Sequence, residues 1–335
     1  RFPDPSNWLS ADRVGAILRI AVEPAADRAG LPWVAGAVLL AFTGGIGGAV
    51  AIRRRYGVPG EPFDLLRIPI VRRLVAWRHF AMAAQLPNFV FFGLGVFLGF
   101  CDTPVGGRNL ATKLTWTIWW AAIIFTFVTV GRLWCRLCPF GALNEWAARL
   151  SRPPRRFPRA VRNLWLANGT FLALTWADIH FGVTASPRAT AWIVVIIAAA
   201  AVLTGLFFQR RTFCRYLCPI GGLIGLYSMV APVALRVKDG PTCVGHRGKA
   251  CVAGGPDNIA CPMFELPWTM DRNTQCNLCF QCIKGCDRDN LALRVRPLGA
   301  DLWGTATRSL DEVVLAIVLA GVSLFLTAEM IAPWE

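Results

Sequence analysis

The sequence predicts a mainly α protein: a polytopic membrane helix bundle of about six spans that carries a small α+β domain rich in cysteine. Three observations carry this expectation. The 335 residues are 55% hydrophobic and only 16% charged, whereas soluble domains carry about 25% charged residues. The apolar residues gather in runs of roughly 20, the length that crosses a bilayer as a helix. The one sizeable polar block, Lys238–Pro297, holds seven of the twelve cysteines.

The elements follow in chain order. Residues 1–30 are polar with an amphipathic piece (Val14, Ile17, Leu18, Val22), too short to span and read as an external interfacial segment. Residues 31–235 read as the membrane domain. Its expected spans are Leu31–Ile52, Phe80–Phe100, Leu114–Leu133, a shorter one near Ala160–Ala177, and Thr190–Phe208. The stretch Arg53–His79 is a basic connection. Ile220–Leu235 is apolar but short and interrupted by glycine, so it reads as a surface or re-entrant helix. Residues 236–298 form the cysteine-rich domain, and 299–335 hold the last span, Val313–Ile331.

Charge sets the orientation. Arg-rich connections follow the first, third and fifth spans, which places those ends and the cysteine-rich domain in the cytoplasm and both termini outside. The net charge of +15 does not imply nucleic acid, because the arginines flank apolar spans instead of forming one basic face. The cysteines sit in metal-ligand spacings, so they read as reduced ligands and not as disulfides. There is no C-x-x-C-H, and His79 and His180 fall at opposite faces, so no haem is expected in this chain.

Cys276, Cys279, Cys282 and Cys286 form a C-x2-C-x2-C-x3-C run. That is the bacterial-ferredoxin spacing, which holds a [4Fe–4S] cubane and sends its fourth cysteine to a second cluster. Structural zinc prefers two separated C-x-x-C pairs. Asp287 follows Cys286 where the usual run has Pro. Crossed pairing assigns Cys261 with Cys276, Cys279 and Cys282 to one cluster, and Cys243, Cys251 and Cys286 to the other. The second set lacks one ligand. His246 is a candidate and a membrane cysteine is another; an incomplete or three-iron cluster would also fit.

Two stretches repeat: Cys135-Arg-Leu-Cys138-Pro139 and Cys214-Arg-Tyr-Leu-Cys218-Pro219, each after two spans of the same polarity, within residues 80–143 and 160–223. A parallel repeat brings the two cysteine pairs together at one depth. Four facing thiolates make a metal site, and Arg132, Arg136, Arg210, Arg211 and Arg215 could offset its negative charge. Inert buried cysteine and a Cu(I) site are the alternatives.

These residues together resemble the membrane-bound polyferredoxin family, which includes NapH-type quinol dehydrogenase subunits and NosR-type proteins. The resemblance rests on the Cys-Pro repeats and the block Cys261–Cys286, and covers about Phe80 to Pro297. The family has C-x3-C-P in both repeats; Cys135/Cys138 is one residue shorter, which shifts one thiolate around its helix. No flavin-attachment segment of the NosR kind is present. The resemblance implies a bacterial inner-membrane protein with two [4Fe–4S] clusters in the ferredoxin-like domain and a third at the membrane cysteines.

The expected function is electron transfer between the quinone pool, or a partner redox subunit, and clusters on the cytoplasmic face. Gln85 and Asn88, polar within the second span, are the candidate quinone contacts; helix–helix hydrogen bonding is the plainer reading of both. Expected partners are the bilayer, quinone and other redox subunits, such as a c-type cytochrome or a soluble ferredoxin. A copper-assembly or metal-reductase protein and a membrane anchor for a larger oxidoreductase are the alternatives.

Overall fold

The structure, a computed structural model, describes residues 51–55, 62–151, 155–256, 258–304 and 309–330. The expected segment 1–30 and nearly all of the expected span Leu31–Ile52 lie outside these residues. The chain divides into two units, Arg1–Glu61 and Pro62–Glu335. Apart from a helical turn at 51–55, every described element belongs to the second.

In chain order these are β1 (Phe63–Asp64), α1 (Pro69–Ala76), α2 (Phe80–Cys101), α3 (Leu110–Val130), α4 (Leu133–Leu137), α5 (Pro139–Leu150), α6 (Trp165–Phe181), α7 (Pro187–Phe207), α8 (Pro219–Tyr227), β2 (Val233–Val237), β3 (Leu291–Val295) and α9 (Leu310–Met330). Short helical turns lie between β2 and β3.

Helices α2, α3, α7 and α9 are long and apolar enough to cross a membrane. They show large apolar side chains outward, such as Leu86, Phe125, Ile196 and Leu324, as helices in lipid do. The fourth expected span is α6, with 17 residues, short of the roughly 20 of a straight crossing. Its start is Trp165 and not Ala160, because two side chains cap it there. Leu164 N–H donates to Asp311 Oδ2 at 2.6 Å, and Trp165 N–H to Asn163 Oδ1 at 3.2 Å. Its end is Gly182, whose φ of +57° supplies the left-handed residue that closes a helix.

Short loops join α2 to α3 and α6 to α7; α7 packs along α5 and α2, and α6 packs on α8. Asn109 staples the first loop: its Oδ1 accepts from Ala111 N–H, and its Nδ2 donates to the Leu98 and Thr103 carbonyls. Helices α2 and α7 meet closely at Gly99. A Cβ there would lie 2.7 Å from Ala191 Cβ and 2.9 Å from the Pro187 carbonyl oxygen.

The cysteine-rich domain is built on an antiparallel sheet of order β1-β3-β2. Leu235 pairs with Leu293, and Phe63 with Val295. This corrects two expectations. The run Ile220–Leu235 is not one helix. It breaks at Ser228–Pro232, and the alternating residues Val233–Val237 become an edge strand of the sheet. The basic connection Arg53–His79 contains the other edge strand, where Asp64 Oδ1 accepts from Leu293 N–H and Leu66 N–H, both at 3.0 Å. The sheet therefore draws on residues before the membrane helices as well as after them.

Candidate metal centres

The two repeats clasp each other through their arginines. Arg132 stands three residues before Cys135, and Arg211 three before Cys214. Arg132 Nη2 donates to the Cys214 carbonyl at 2.7 Å; Arg211 Nη1 donates to the Cys135 carbonyl at 2.7 Å. Both arginines are buried, at 1% and 0% exposure. The reciprocity is what a two-fold repeat requires, and it sets the two cysteine pairs face to face.

The repeats differ by one residue, and the backbone absorbs the difference. Cys138 N–H donates to the Trp134 carbonyl four residues back, at 2.8 Å. Cys218 N–H donates to the Phe213 carbonyl five residues back, at 2.9 Å. The extra residue is taken up by a π turn at Phe213–Leu217, a rare conformation that recurs at functional sites. The expected rotation of one thiolate does not follow: Cys138 and Cys218 both become the cap residue of the next helix, with Pro139 and Pro219 at its first position. There Cys218 Sγ accepts the Gly221 N–H at 3.2 Å. Glycine is needed at that place. A Cβ on Gly141 would strike Arg211 Nη1, and one on Gly221 would lie 2.7 Å from the Cys214 carbonyl oxygen.

Electrostatics sort the cysteines into three sets. Burial, then the Cys214 thiol, push Cys138 up to about 12. Burial also raises Cys218 well above its ordinary value, with Cys214, Cys138 and Cys135 adding to it. In the polar domain burial and then Cys279 push Cys276 up to about 12, and burial and then Cys261 push Cys279 up to about 11. Burial raises Cys282 as well, helped by Cys279, Cys276 and Cys261 and, least, by Cys251 of the neighbouring set. The third set is looser. Burial and then Cys286 raise Cys243; burial, Cys243 and Cys286 raise Cys251.

Two cavities match the last two sets. One is lined by Cys261, Cys276, Cys279 and Cys282. The other is lined by Cys243, Cys251, Cys286 and His246. Cys101 is exposed at the far end of α2 and joins neither.

These sets have the chemistry of cluster sites. Buried thiols that raise one another can ionise together only around a cationic core. Among the described residues no three His, Cys, Asp or Glu side chains are grouped to hold a single metal ion; a cubane, with iron and sulfide between its ligands, holds them further apart. Asn277, 1% exposed, lines the four-cysteine cavity with its amide nitrogen unpartnered, and a sulfide would accept from it. Six non-glycine residues among those described have positive φ: Arg211, Lys249, Phe264, Leu278, Phe280 and Asp289. Each lies within three residues of a cysteine. Left-handed turns cost roughly 1–2 kcal/mol each for such residues, and they aim N–H groups into the concavities that hold Fe–S clusters.

Of the arginines expected to offset this charge, Arg132 also reaches the Thr274 carbonyl and, at 3.2 Å, Gln275 Oε1. It thereby ties the membrane cysteines to the loop that leads into Cys276. Arg211 donates to Glu145 Oε2 from Nε at 3.1 Å and from Nη2 at 2.9 Å. Arg136 joins the same oxygen at 3.3 Å. Arg210 reaches the Cys261 carbonyl at 3.5 Å, and Arg215 lies over the rings of Tyr216 and Phe264. Burial opposes the Glu145 charge, but Arg211 and Arg136 outweigh it and hold the carboxyl below its usual range. Glu145 was not singled out in the sequence. It occupies in the first repeat the place that Gly225 has in the second, and an alignment of the two arms would have marked it.

A cavity of about 760 Å³ with mixed polar and apolar walls opens between α2, α5 and the cysteine-rich domain. Arg78, Arg136, Arg149 and Lys284 line it together with Glu145 and Gln85. Gln85 Nε2 is held by the Arg136 carbonyl at 2.8 Å. Asn88 does not line the cavity, and its Nδ2 bonds the Ala84 carbonyl of its own helix at 2.9 Å.

Thiols that need a cationic core, seated where lipid-crossing helices end, define a membrane iron–sulfur protein. The 4Fe-4S binding domain family matches residues 112–158 and 190–238, the two cysteine arms. An uncharacterised protein of Methanocaldococcus jannaschii is 27% identical over 235 residues, 68% of this chain and 87% of its own. Protein NirI of Paracoccus denitrificans is 27% identical over 250 residues, 64% of this chain and 35% of its own. YccM of Escherichia coli is 32% identical over 175 residues, 45% of this chain and 47% of its own. The chain thus spans about a third of NirI and half of YccM. No solved structure matches it. The chain is similar to membrane-bound ferredoxin-type proteins of the NosR kind, and its role is electron transport with [4Fe–4S] centres.

Proposed function

We propose that the protein passes electrons between the quinone pool and three [4Fe–4S] clusters on the cytoplasmic face of the membrane. The clusters are those of the three cysteine sets, and they supply one-electron steps that side chains cannot. The cavity between α2, α5 and the cysteine-rich domain carries this reading. Its outer wall, Met82 and Trp146, is apolar and exposed where α2 leaves the polar face, so it suits a ring arriving from lipid. Its inner wall is cationic and lies beside the four-cysteine cavity, since Arg136 feels the Cys279 thiol. Arg136 and Arg149 lower the cost of negative charge on a quinol oxygen. His79, exposed at the cavity's edge, is the group placed to exchange the proton with water. The arginines at this face, by the positive-inside tendency, make it the cytoplasmic one.

The test is reduction of anaerobically purified protein by a short-chain quinol, followed by cluster absorbance. Ala81 lines the cavity and is half-buried. Ala81→Phe should leave iron and sulfide content unchanged and slow reduction at least about tenfold, the factor that corresponds to about 1.4 kcal/mol. Equal rates in the variant and the parent protein would remove the cavity from the pathway, and clusters inert to quinols in both would remove quinone altogether.

A further inference from the structure

The cavity of Cys243, Cys251 and Cys286 has three thiols for a cluster that takes four ligands. The twelve cysteines leave no spare. Four line the neighbouring cavity, four face one another at the membrane arms, three are here, and Cys101 is exposed at the far end of α2. Among the other side chains lining this cavity the iron-binding donor is His246; the rest include Thr242, Lys249, Arg288 and Asn290. His246 is held in place. Its Nε2 lies 3.2 Å from Asp287 Oδ2. The backbone closes over the ring at Gly248, where a Cβ would lie 3.3 Å from Nε2 and 3.4 Å from Cε1.

We propose that His246 is the fourth ligand of this cluster, binding iron through Nδ1, and that Asp287 fixes its ring and tautomer from Nε2. A carboxylate on the second nitrogen is the usual support of a ligating imidazole, and it also raises the basicity of the ligand. The pairing joins two oddities of the sequence. The eighth cysteine of the ferredoxin pattern is missing, and an aspartate stands after Cys286 where proline is usual. Proline has no carboxylate to offer the ring; a chain that uses histidine here gains from aspartate. Imidazole is neutral where thiolate is anionic, so the Cys3His cluster carries one negative charge less than its neighbour. In Rieske centres the same exchange raises the potential. The His246 cluster is therefore the one that fills first, and Lys249 and Arg288 at its cavity wall act in the same direction.

The proposal rests on the iron–sulfur reading of this cavity, and the test separates the two. The full chain is purified anaerobically with 15N-labelled histidine and reduced, and pulsed EPR looks for nitrogen hyperfine coupling. Iron and sulfide are counted per chain, and each cluster is titrated. The parent protein should show histidine nitrogen coupled to one cluster. His246→Cys should keep full iron, lose that coupling and titrate lower at one cluster only. Asp287→Asn should keep the coupling and shift the same potential. Full iron without histidine coupling, or a His246→Cys titration identical to the parent's, overturns the ligand. A three-iron signal in fresh parent protein overturns it too. Iron-free protein overturns the cluster reading itself.

Discussion

Glu145→Gln tests the electrostatics of the membrane arms most sharply. The side chain keeps its shape and loses only its charge. In the native protein Glu145 Oε2 accepts from Arg211, fully buried, at 2.9 and 3.1 Å and from Arg136 at 3.3 Å. Breaking a buried pair by neutralising one partner costs about 3–5 kcal/mol, because the other charge stays buried. Here Arg211 keeps its bond to the Cys135 carbonyl and the nearby Cys214. The lower end, about 3 kcal/mol, is therefore expected with clusters in place. At about 2–4 °C per kcal/mol that lowers the midpoint of thermal unfolding by about 6–12 °C in detergent.

The pH dependence carries the sign. Arg211 and Arg136 hold the Glu145 carboxyl below its ordinary value of 4.5 against burial. The unfolded chain then binds the proton more readily. The contribution is fully present above that ordinary value and is lost as pH falls through the lower native one. Scanning calorimetry from neutral to acid pH should show the parent losing stability at the acid end and Glu145→Gln losing less. A variant with the parent's midpoint at neutral pH, or with the same acid slope, would refute the argument.

Two further perturbations separate the sites. Gly141→Ala places a methyl against Arg211 Nη1 and should cost the membrane arms their iron while the signals of the polar-domain clusters persist; Gly169→Ala, with open space around it, should change nothing. Cys279→Ser should do the reverse, emptying the four-cysteine cavity and sparing the membrane arms, as read by iron per chain and EPR. Uniform loss of iron in either variant would mean that the sites are not separate.

The parts of this molecule that show in its sequence are those with a local signature. Four cysteines within eleven residues announce the ferredoxin run, and Cys-Pro stated twice announces the repeat. Apolar runs give α2, α3, α7 and α9, with ends displaced by a few residues where caps such as Asn109 before α3 and Ser186 before α7 intervene. What does not show is pairing between distant segments. Two residues, Phe63–Asp64, offer no periodicity, and their strand exists because β3 leaves an edge free. Val233–Val237 follows an apolar helix without a charged break, so its alternation is hidden. Arg132 and Arg211 look like any positive charge beside a membrane. Their shared place, three residues before the first cysteine of each arm, was the available signal. The π turn left only one extra residue between Cys214 and Cys218, which reads equally well as a displaced ligand.

The charges buried in the repeat favour the cluster proposed for the membrane arms. Arg132, Arg136 and Arg211 are buried around Cys135, Cys138, Cys214 and Cys218, and Glu145 is the buried carboxylate among them. Three cations against one anion leave a double positive excess. Neutral thiols cannot balance it, and burying uncompensated charge costs several kcal/mol per ion. Four thiolates around a doubly charged cubane core leave a double negative excess, and the account closes. The two arms are not equivalent in this. Arg211 is matched by Glu145 inside the membrane arms, whereas Gly225, in the corresponding place of the other arm, leaves room for Arg132 to reach the Thr274 carbonyl. One copy of the repeat became the counter-charge, and the other became the link to the loop that carries Cys276. A symmetric pair of arms would hold a cluster but would have no such contact with its electron partner. Under the proposed function, the asymmetry between Glu145 and Gly225 is what gives the duplicated site a contact with the loop that carries Cys276.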